Sequence, residues 1–321
     1  MTGFLETHGW HKAQQLPLAG DASARRYTRL TKGRDSAILM EDPSGDVALF
    51  ARLARHLHDL GLSAPRILAE DHDAGLLLLE DLGDGLIARL ATHDPARETD
   101  LYLCATDALV ELHRHAPPDD IPMADPVRLT KMVDLAFTHY ANAPQALSKA
   151  QDLLHPILER HAAPADVMIL RDYHAENVLY LPDRSGPARA GLLDFQDAMV
   201  GHRAYDLVSL LHDIRRDVGQ ATQDACIARY VLATGVDRAA FEASFHVLGA
   251  QRNLRILGVF ARLATEHGKP RYLDLLPAVW RQLQTELAHP VLAPLADFLN
   301  HVLPAPDTDL IARLRSQCPT P

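Results

Sequence analysis

Cysteine is scarce. Cys104, Cys226 and Cys318 are the three in 321 residues, widely spaced and odd in number, which excludes a disulfide framework and suits reduced thiols in a cytosol. No basic segment followed by a long apolar core opens the chain at MTGFLETHGW, so no signal peptide is expected. No apolar run approaches the roughly 18 residues of a spanning helix either, and the expectation is a cytoplasmic protein without a membrane segment. Positive charge is short too. With a net charge of −10, the surface as a whole does not advertise nucleic-acid or anionic-membrane binding. An anionic ligand would need local cations or a metal to hold it against that field. H-E-x-x-H, G-x-S-x-G and G-x-x-x-x-G-K-[ST] are all missing, which removes the commonest zinc-protease, hydrolase and P-loop readings. GDGLIA at 83–88 fits G-x-G-x-x-A. However, Glu80, Asp81 and Asp84 would repel a pyrophosphate, and no second strand with an acidic end follows within about 30 residues. The eighteen histidines invite a metal-hydrolase reading, but His56/His58 and His113/His115 are spaced so that a helix sends them to different sides, and most of the histidines read as surface residues.

What is present is an ordinary globular balance of 47% hydrophobic and 23% charged residues, enough for one large domain or two modest lobes. The first 80 residues are strand-rich. RRYTRL (25–30) and SAILM (36–40) flank KGRD, a hairpin signal, and RILAED and GLLLLEDL supply two further strands. Between them VALFARLARHLHDLGL has apolar residues at helical spacing and stops at Gly61. After Gly83 helical patterns dominate, at 100–113, 129–142, 145–161 and 238–267, interrupted by a short β insert at 166–194. The expected organisation is a small β-rich N-lobe over 1–82 and a large, mostly helical C-lobe over 83–321, an α+β arrangement.

The chemistry concentrates in RDYHAEN (171–177), directly after the apolar run VMIL. Two strand-like runs joined by PDRSGP follow, and then LLDFQD. In an antiparallel hairpin, the residue before the first strand and the residue after the second share one end. Asn177 and Asp194 hold those places, and Asp172 precedes Asn177 in the same loop. Asn and Asp oxygens suit Mg²⁺, leaving Asp172 to accept a proton. The same parts serve kinase-type phosphoryl transfer, R-D-x-x-x-x-N followed by D-F-x. D-x-x-x-x-N alone is a weak signal, and a polar loop beside a hairpin is the plain alternative. The apolar strand, the hairpin and the second acidic motif together outweigh it. Asp206, opening the pattern AYDLVSLLHD, reads in isolation as an acidic residue at a helix start.

GDASARRYTRL, LLLLEDLGD, LRDYHAENVLYL, LLDFQDAMVGHRAYDLVSLLHD and QRNLRILGVFARLATEHGKPRYLDLLP resemble the aminoglycoside phosphotransferase-like kinases, relatives of protein and choline kinases. The last segment is more narrowly similar to the anomeric kinases of N-acetylmuramate and N-acetylglucosamine in bacterial cell-wall recycling. The resemblance implies a bilobal protein-kinase-like fold with the site between lobes, and ATP and Mg²⁺ as cofactors. It further implies an N-acetylated amino sugar as acceptor, and a monomer or weak homodimer with no nucleic-acid or membrane partner. By the same resemblance Asp172 is the base, Asn177 and Asp194 are metal ligands, and Asp206 is a scaffold accepting N–H groups of the catalytic loop. The turn with Ser23 and Arg25 covers the phosphates, and Glu80 and Leu82 form the adenine hinge. A kinase for another small molecule (aminoglycoside, amino-alcohol or other sugar) is the runner-up, and a nucleotide-binding pseudokinase a further alternative.

One departure stands out. The third strand reads SAILMED, placing Met40 where such kinases carry a lysine, and the following helix has no Glu to pair with one. Arg25 and Arg26 are candidate replacement cations, though on a strand they point to opposite faces. Candidate acceptor contacts are Arg171, His174 and Glu176 in the loop, with Arg252 and Arg255 on the long helix. The stripe that Arg252 and Arg255 make with Arg262 also reads as a solvated helix face.

Overall fold

The structure, a computed structural model, describes residues 1–18, 25–43 and 47–319. Along the chain run α1 (Thr2–Thr7), β1 (Gln14–Pro17), β2 (Arg26–Lys32), β3 (Asp35–Glu41), α2 (Val47–Asp59), β4 (Ile67–Asp71) and β5 (Leu76–Glu80). Then come α3 (Ile87–His93), α4 (Glu98–Leu112), α5 (Pro126–Lys131) and α6 (Leu147–His161), followed by the short strands β6 (Val167–Ile169), β7 (Val178–Tyr180), β8 (Ala190–Leu192) and β9 (Met199–Gly201). The remainder is helical: α7 (Tyr205–Leu211), α8 (Gln220–Thr234), α9 (Arg238–Thr265), α10 (Leu276–Leu287), α11 (Ala293–Val302) and α12 (Thr308–Ser316). No helix among the described residues is long and apolar enough to cross a membrane.

The chain divides into two compact units, Met1–Pro118 with Ala175–Asp197, and Asp119–His174 with Ala198–Pro321. The division does not follow the expected boundary after Leu82. Helices α3 and α4 stay with the sheet, and α4 packs on the turn Gly186–Arg189 that joins β7 to β8.

In the first unit the sheet order is β1-β2-β3-β5-β4, with antiparallel neighbours throughout. Gly33, at φ +64°, makes the turn between β2 and β3, a conformation that costs a Cβ-bearing residue more. Side chains alternate as a pleated sheet requires. Leu30, Ala37, Leu39 and Leu78 share one face, where Leu5, Phe4 and Trp10 cover them. Met40 pairs in register with Tyr27 of β2 and Leu77 of β5 on the opposite face. Helix α2 buries Phe50, Leu53, Ala54 and Leu57, and the Phe50 ring meets Phe195 at 4.7 Å between centroids.

In the second unit β6 pairs with β9, and α9 is the central helix, packed by α10, α7 and the turn Ala136–Tyr140. The expected helix over 129–142 is broken: α5 ends at Lys131, and a wide helical turn occupies Ala136–Tyr140. The backbone here lies against Gly258 of α9, where an added Cβ would come within 2.2 Å of the Leu135 carbonyl carbon. Gly258→Ala should therefore force backbone apart, lowering stability by about 3 kcal/mol or more, read from the urea midpoint. An unchanged midpoint would show that the turn shifts freely.

Four of the eighteen histidines, His113, His174, His202 and His212, are buried. His212 pairs with Glu286, a fully buried carboxylate, and His246 Nδ1 meets the other oxygen of Glu286 at 2.7 Å. His202 accepts the Ala204 N–H on Nδ1 at 3.2 Å, and burial pushes its pKa down to about 4, with Arg203 adding and Asp166 opposing. Its neutral form is favoured by folding. The stabilisation is fully present above the ordinary value of 6.5 and is lost as pH falls toward about 4. The amount at stake is on the order of 3 kcal/mol. His202→Asn keeps an acceptor for the Ala204 N–H, and it should flatten the acid limb of a plot of urea midpoint against pH. A slope equal to the wild type's would assign the acid sensitivity to other groups.

Candidate active site

The second unit holds the loop that follows β6. Asp206, in the first turn of α7, is fully buried, and its two oxygens accept the backbone N–H groups of Leu170 at 2.6 Å and Arg171 at 2.8 Å. Arg171 is thereby fixed at φ +71°, a left-handed conformation that a residue with a long side chain adopts only when held. Burial raises the Asp206 carboxyl to about 7, opposed by the two backbone bonds and Arg252, with the Asp172 charge adding to the rise. The loop then tightens, with the Asp172 N–H on the Leu170 carbonyl at 2.9 Å and the His174 N–H on the Asp172 carbonyl at 3.2 Å. Asp172 is half-buried, while Tyr173 and His174 are buried. Burial holds the His174 imidazole well below its ordinary range, with Arg215 and Arg252 adding to the effect. It is therefore a neutral group.

Helix α9 does not present its arginines as a solvated stripe. Arg252 is 6% exposed and Arg255 half-buried, which corrects the bland reading of that face. Gln251 and Asn253 are buried beside Arg252, and Gln251 Nε2 donates to the Leu129 carbonyl at 2.9 Å. Burial lowers the Arg255 pKa. Tyr205 and Asp172 oppose this electrostatically, and Arg171 and Arg252 add to it. The helix thus sets cations within electrostatic reach of Asp172.

The first unit holds a second group of candidate residues. Val178 pairs with Leu192 in the β7–β8 hairpin, so Asn177 and Asp194 emerge at the same end. The Leu193 N–H bonds the Asn177 carbonyl at 3.0 Å, and Asn177 Nδ2 lies 3.4 Å from Asp194 Oδ2. Gln196 Nε2 donates to Asp194 Oδ1 at 2.7 Å. Asp194 itself sits at φ +56°, anchored by the next residue, Phe195, against Phe50. Glu176 is exposed.

Around this hairpin end the sheet contributes two groups. Arg25 Nε pairs with Asp42 Oδ2 at 2.7 Å, with both side chains largely buried, so it is not a solvated edge cation. Tyr27, which sequence reasoning passed over, has its hydroxyl pKa raised by burial, with Arg25 opposing and Asp194 adding. Only its alternation with Arg26 could have pointed to it. Met40 is fully buried on the Tyr27 face. Arg26 is 69% exposed and lies 3.5 Å from Glu41, an ordinary edge cation. Ser23 lies outside the described residues, with most of the expected phosphate loop.

At the end of β5 the acidic residues are already partnered. Glu80 bonds Arg184 at 2.6 Å and the Arg66 N–H at 3.2 Å. Arg29 reaches Asp81 at 3.0 Å and Asp84 at 2.9 Å. The side chain of Glu80 is thus committed to Arg184 and the Arg66 N–H.

Comparison with known proteins agrees with this architecture. The APH phosphotransferase enzyme family matches residues 14–243. The N-acetylmuramate/N-acetylglucosamine kinase of Caulobacter vibrioides is 38% identical, covering 94% of this chain and 95% of its own. A protein of the same name from Pseudomonas aeruginosa is 30% identical over 91% of this chain and 90% of its own. Among solved structures, a choline/ethanolamine kinase family protein from Mesorhizobium loti superposes with a TM-score of 0.64 at 15% identity, covering 91% of this chain and 94% of its own. That likeness shows the fold, a protein-kinase-like one with a five-stranded sheet and a mostly helical remainder. On the match over most of its length, the chain belongs to the APH phosphotransferase enzyme family.

Proposed function

We propose that the chain transfers the γ-phosphoryl of ATP to the anomeric hydroxyl of N-acetylmuramate or N-acetylglucosamine. The observation that carries this reading is the Asp206 clamp on the backbone at Leu170 and Arg171, which fixes the residue before Asp172 in a strained conformation. Such strain is retained where a side chain must be aimed. Asp172 then acts as the base that orients the acceptor hydroxyl and takes its proton. Anomeric hydroxyls are more acidic than ordinary alcohols, which lessens the demand on an aspartate.

Asn177 and Asp194 offer hard oxygen donors of the kind Mg²⁺ takes, and they would hold it. When bound, the ion would neutralise charge on the nucleotide phosphates. No group of three or more His, Cys, Asp or Glu among the described residues makes a cation site alone, so phosphates and water would complete the shell. Arg25, near Tyr27 and Asp197, is the candidate for the cation that the strand lacks at Met40. Arg171, Arg252 and Arg255 lie around the base and would disfavour a cationic acceptor such as an aminoglycoside or choline. The names of the curated relatives supply the acceptor class.

The test is Mg²⁺-dependent ADP release with N-acetylmuramate, N-acetylglucosamine, choline and an aminoglycoside offered separately. Turnover with the two N-acetyl sugars alone, abolished by blocking the anomeric position, is the expected result. Turnover with choline or the aminoglycoside instead would overturn the acceptor assignment.

A further inference from the structure

Arg252 lies within α9, more than nine-tenths buried, and no hydrogen bond or ion pair among the described residues reaches its guanidinium. A guanidinium is a rigid fork of donors matched to carboxylates, and this one holds no acceptor of its own among the described residues. Its flanking residues do not explain it, since Gln251 is bonded to the Leu129 carbonyl and serves helix packing.

The carboxylates near it are poor counter-ions. Asp206 spends both oxygens on backbone N–H groups. Asp213 is 2% exposed and accepts the Arg215 N–H at 2.9 Å, while its second oxygen has no partner. Burial raises both carboxyls toward the protonated form. One helical turn on, Arg255 is half-buried, also without an ion pair among the described residues, and within electrostatic reach of Asp172. Two desolvated cations on one helix face, beside the proposed base and without committed anions, form a preorganised anion site.

We infer that Arg252, with Arg255 beside it, binds a carboxylate carried by the acceptor, making Arg252 the residue that selects the lactyl-bearing amino sugar over its neutral counterpart. The inference rests on the acceptor reading above. The two proposed acceptors differ by a 3-O-lactyl ether and therefore by one carboxylate. The proposed base serves both. Only one of them supplies the anion that the fork lacks.

The first test starts from the wild-type protein. The methyl ester of N-acetylmuramate removes the charge of the acid and adds one methyl group, so the variant Arg252→Met serves as the control for size. For the wild-type protein, kcat/KM for the ester should fall about 30- to 100-fold below that for the acid, the range for losing a hydrogen bond to a charged group. In Arg252→Met that difference should vanish, and the ratio of kcat/KM for N-acetylmuramate to that for N-acetylglucosamine should drop by a similar factor. Arg252→Lys, which keeps charge without the fork, should fall between. Equal handling of acid and ester by the wild type would overturn the inference. So would an Arg252→Met protein impaired equally on both sugars, because Arg252 would then act only as a buried counter-ion to Asp206 and Asp213. If the wild type turns over neither sugar, the acceptor reading itself fails and takes this inference with it.

Discussion

Asp172→Ala should lower kcat with an N-acetyl sugar by about 10³-fold or more, within or above the usual range for a general base, while the urea midpoint changes little. Two features separate chemistry from folding at this position. The loop is held through Asp206, whose bonds run to the backbone of Leu170 and Arg171 and do not involve the Asp172 side chain. Asp172 is also only half-buried, so truncation opens no core cavity. Nucleotide contacts lie elsewhere in the proposed site, so KM for ATP should stay near the wild-type value. Near-wild-type turnover by this variant would remove Asp172 as the base and leave the loop strain without a catalytic reason.

Asp194→Asn should be comparably severe, on the order of 10³-fold in kcat, because metal-borne charge stabilisation in phosphoryl transfer is worth several kcal/mol. The substitution is gentle structurally. Asn tolerates the left-handed backbone that Asp194 adopts at φ +56°, and its carbonyl can still accept from Gln196 Nε2. What disappears is one negative charge and a strong oxygen donor. The variant should therefore fold and keep the Phe195–Phe50 contact, yet need a much higher Mg²⁺ concentration for half-maximal rate. An Mg²⁺ titration overlaying the wild-type curve would place the cation elsewhere.

Much of this arrangement was legible before any coordinates. Hairpin signals gave β2–β3 and β7–β8, because turn residues and apolar alternation are local properties. The same reasoning singles out Asp172, Asn177 and Asp194 as the proposed base and metal ligands, because that signal lies in spacing along the chain. What was missed depends on remote partners. Strand β1 is exposed along its length and shows no alternation, and α1 is six residues long, too short for a period. Strand β9 exists because Gly201 lets Ile169 approach: a Cβ there would be 2.4 Å from the Ile169 side chain. The break between α5 and the turn at Ala136 follows from the close approach of Gly258, which apolar spacing over 129–142 does not register. Charge misled in the opposite sense. An arginine stripe at helical spacing reads as solvated, and only the packing of α7 against α9 shows Arg252 to be buried.

The methionine in β3 has a practical consequence for how such a protein is found in a cell extract. An acyl-phosphate derivative of ATP would hand its acyl group to an amine held beside the phosphates, and kinases commonly place a lysine amine on this strand. Strand β3 carries no amine, and the buried thioether of Met40 cannot form an amide. Chemical surveys that count kinases by lysine acylation should pass over this chain even when it is abundant and turning over.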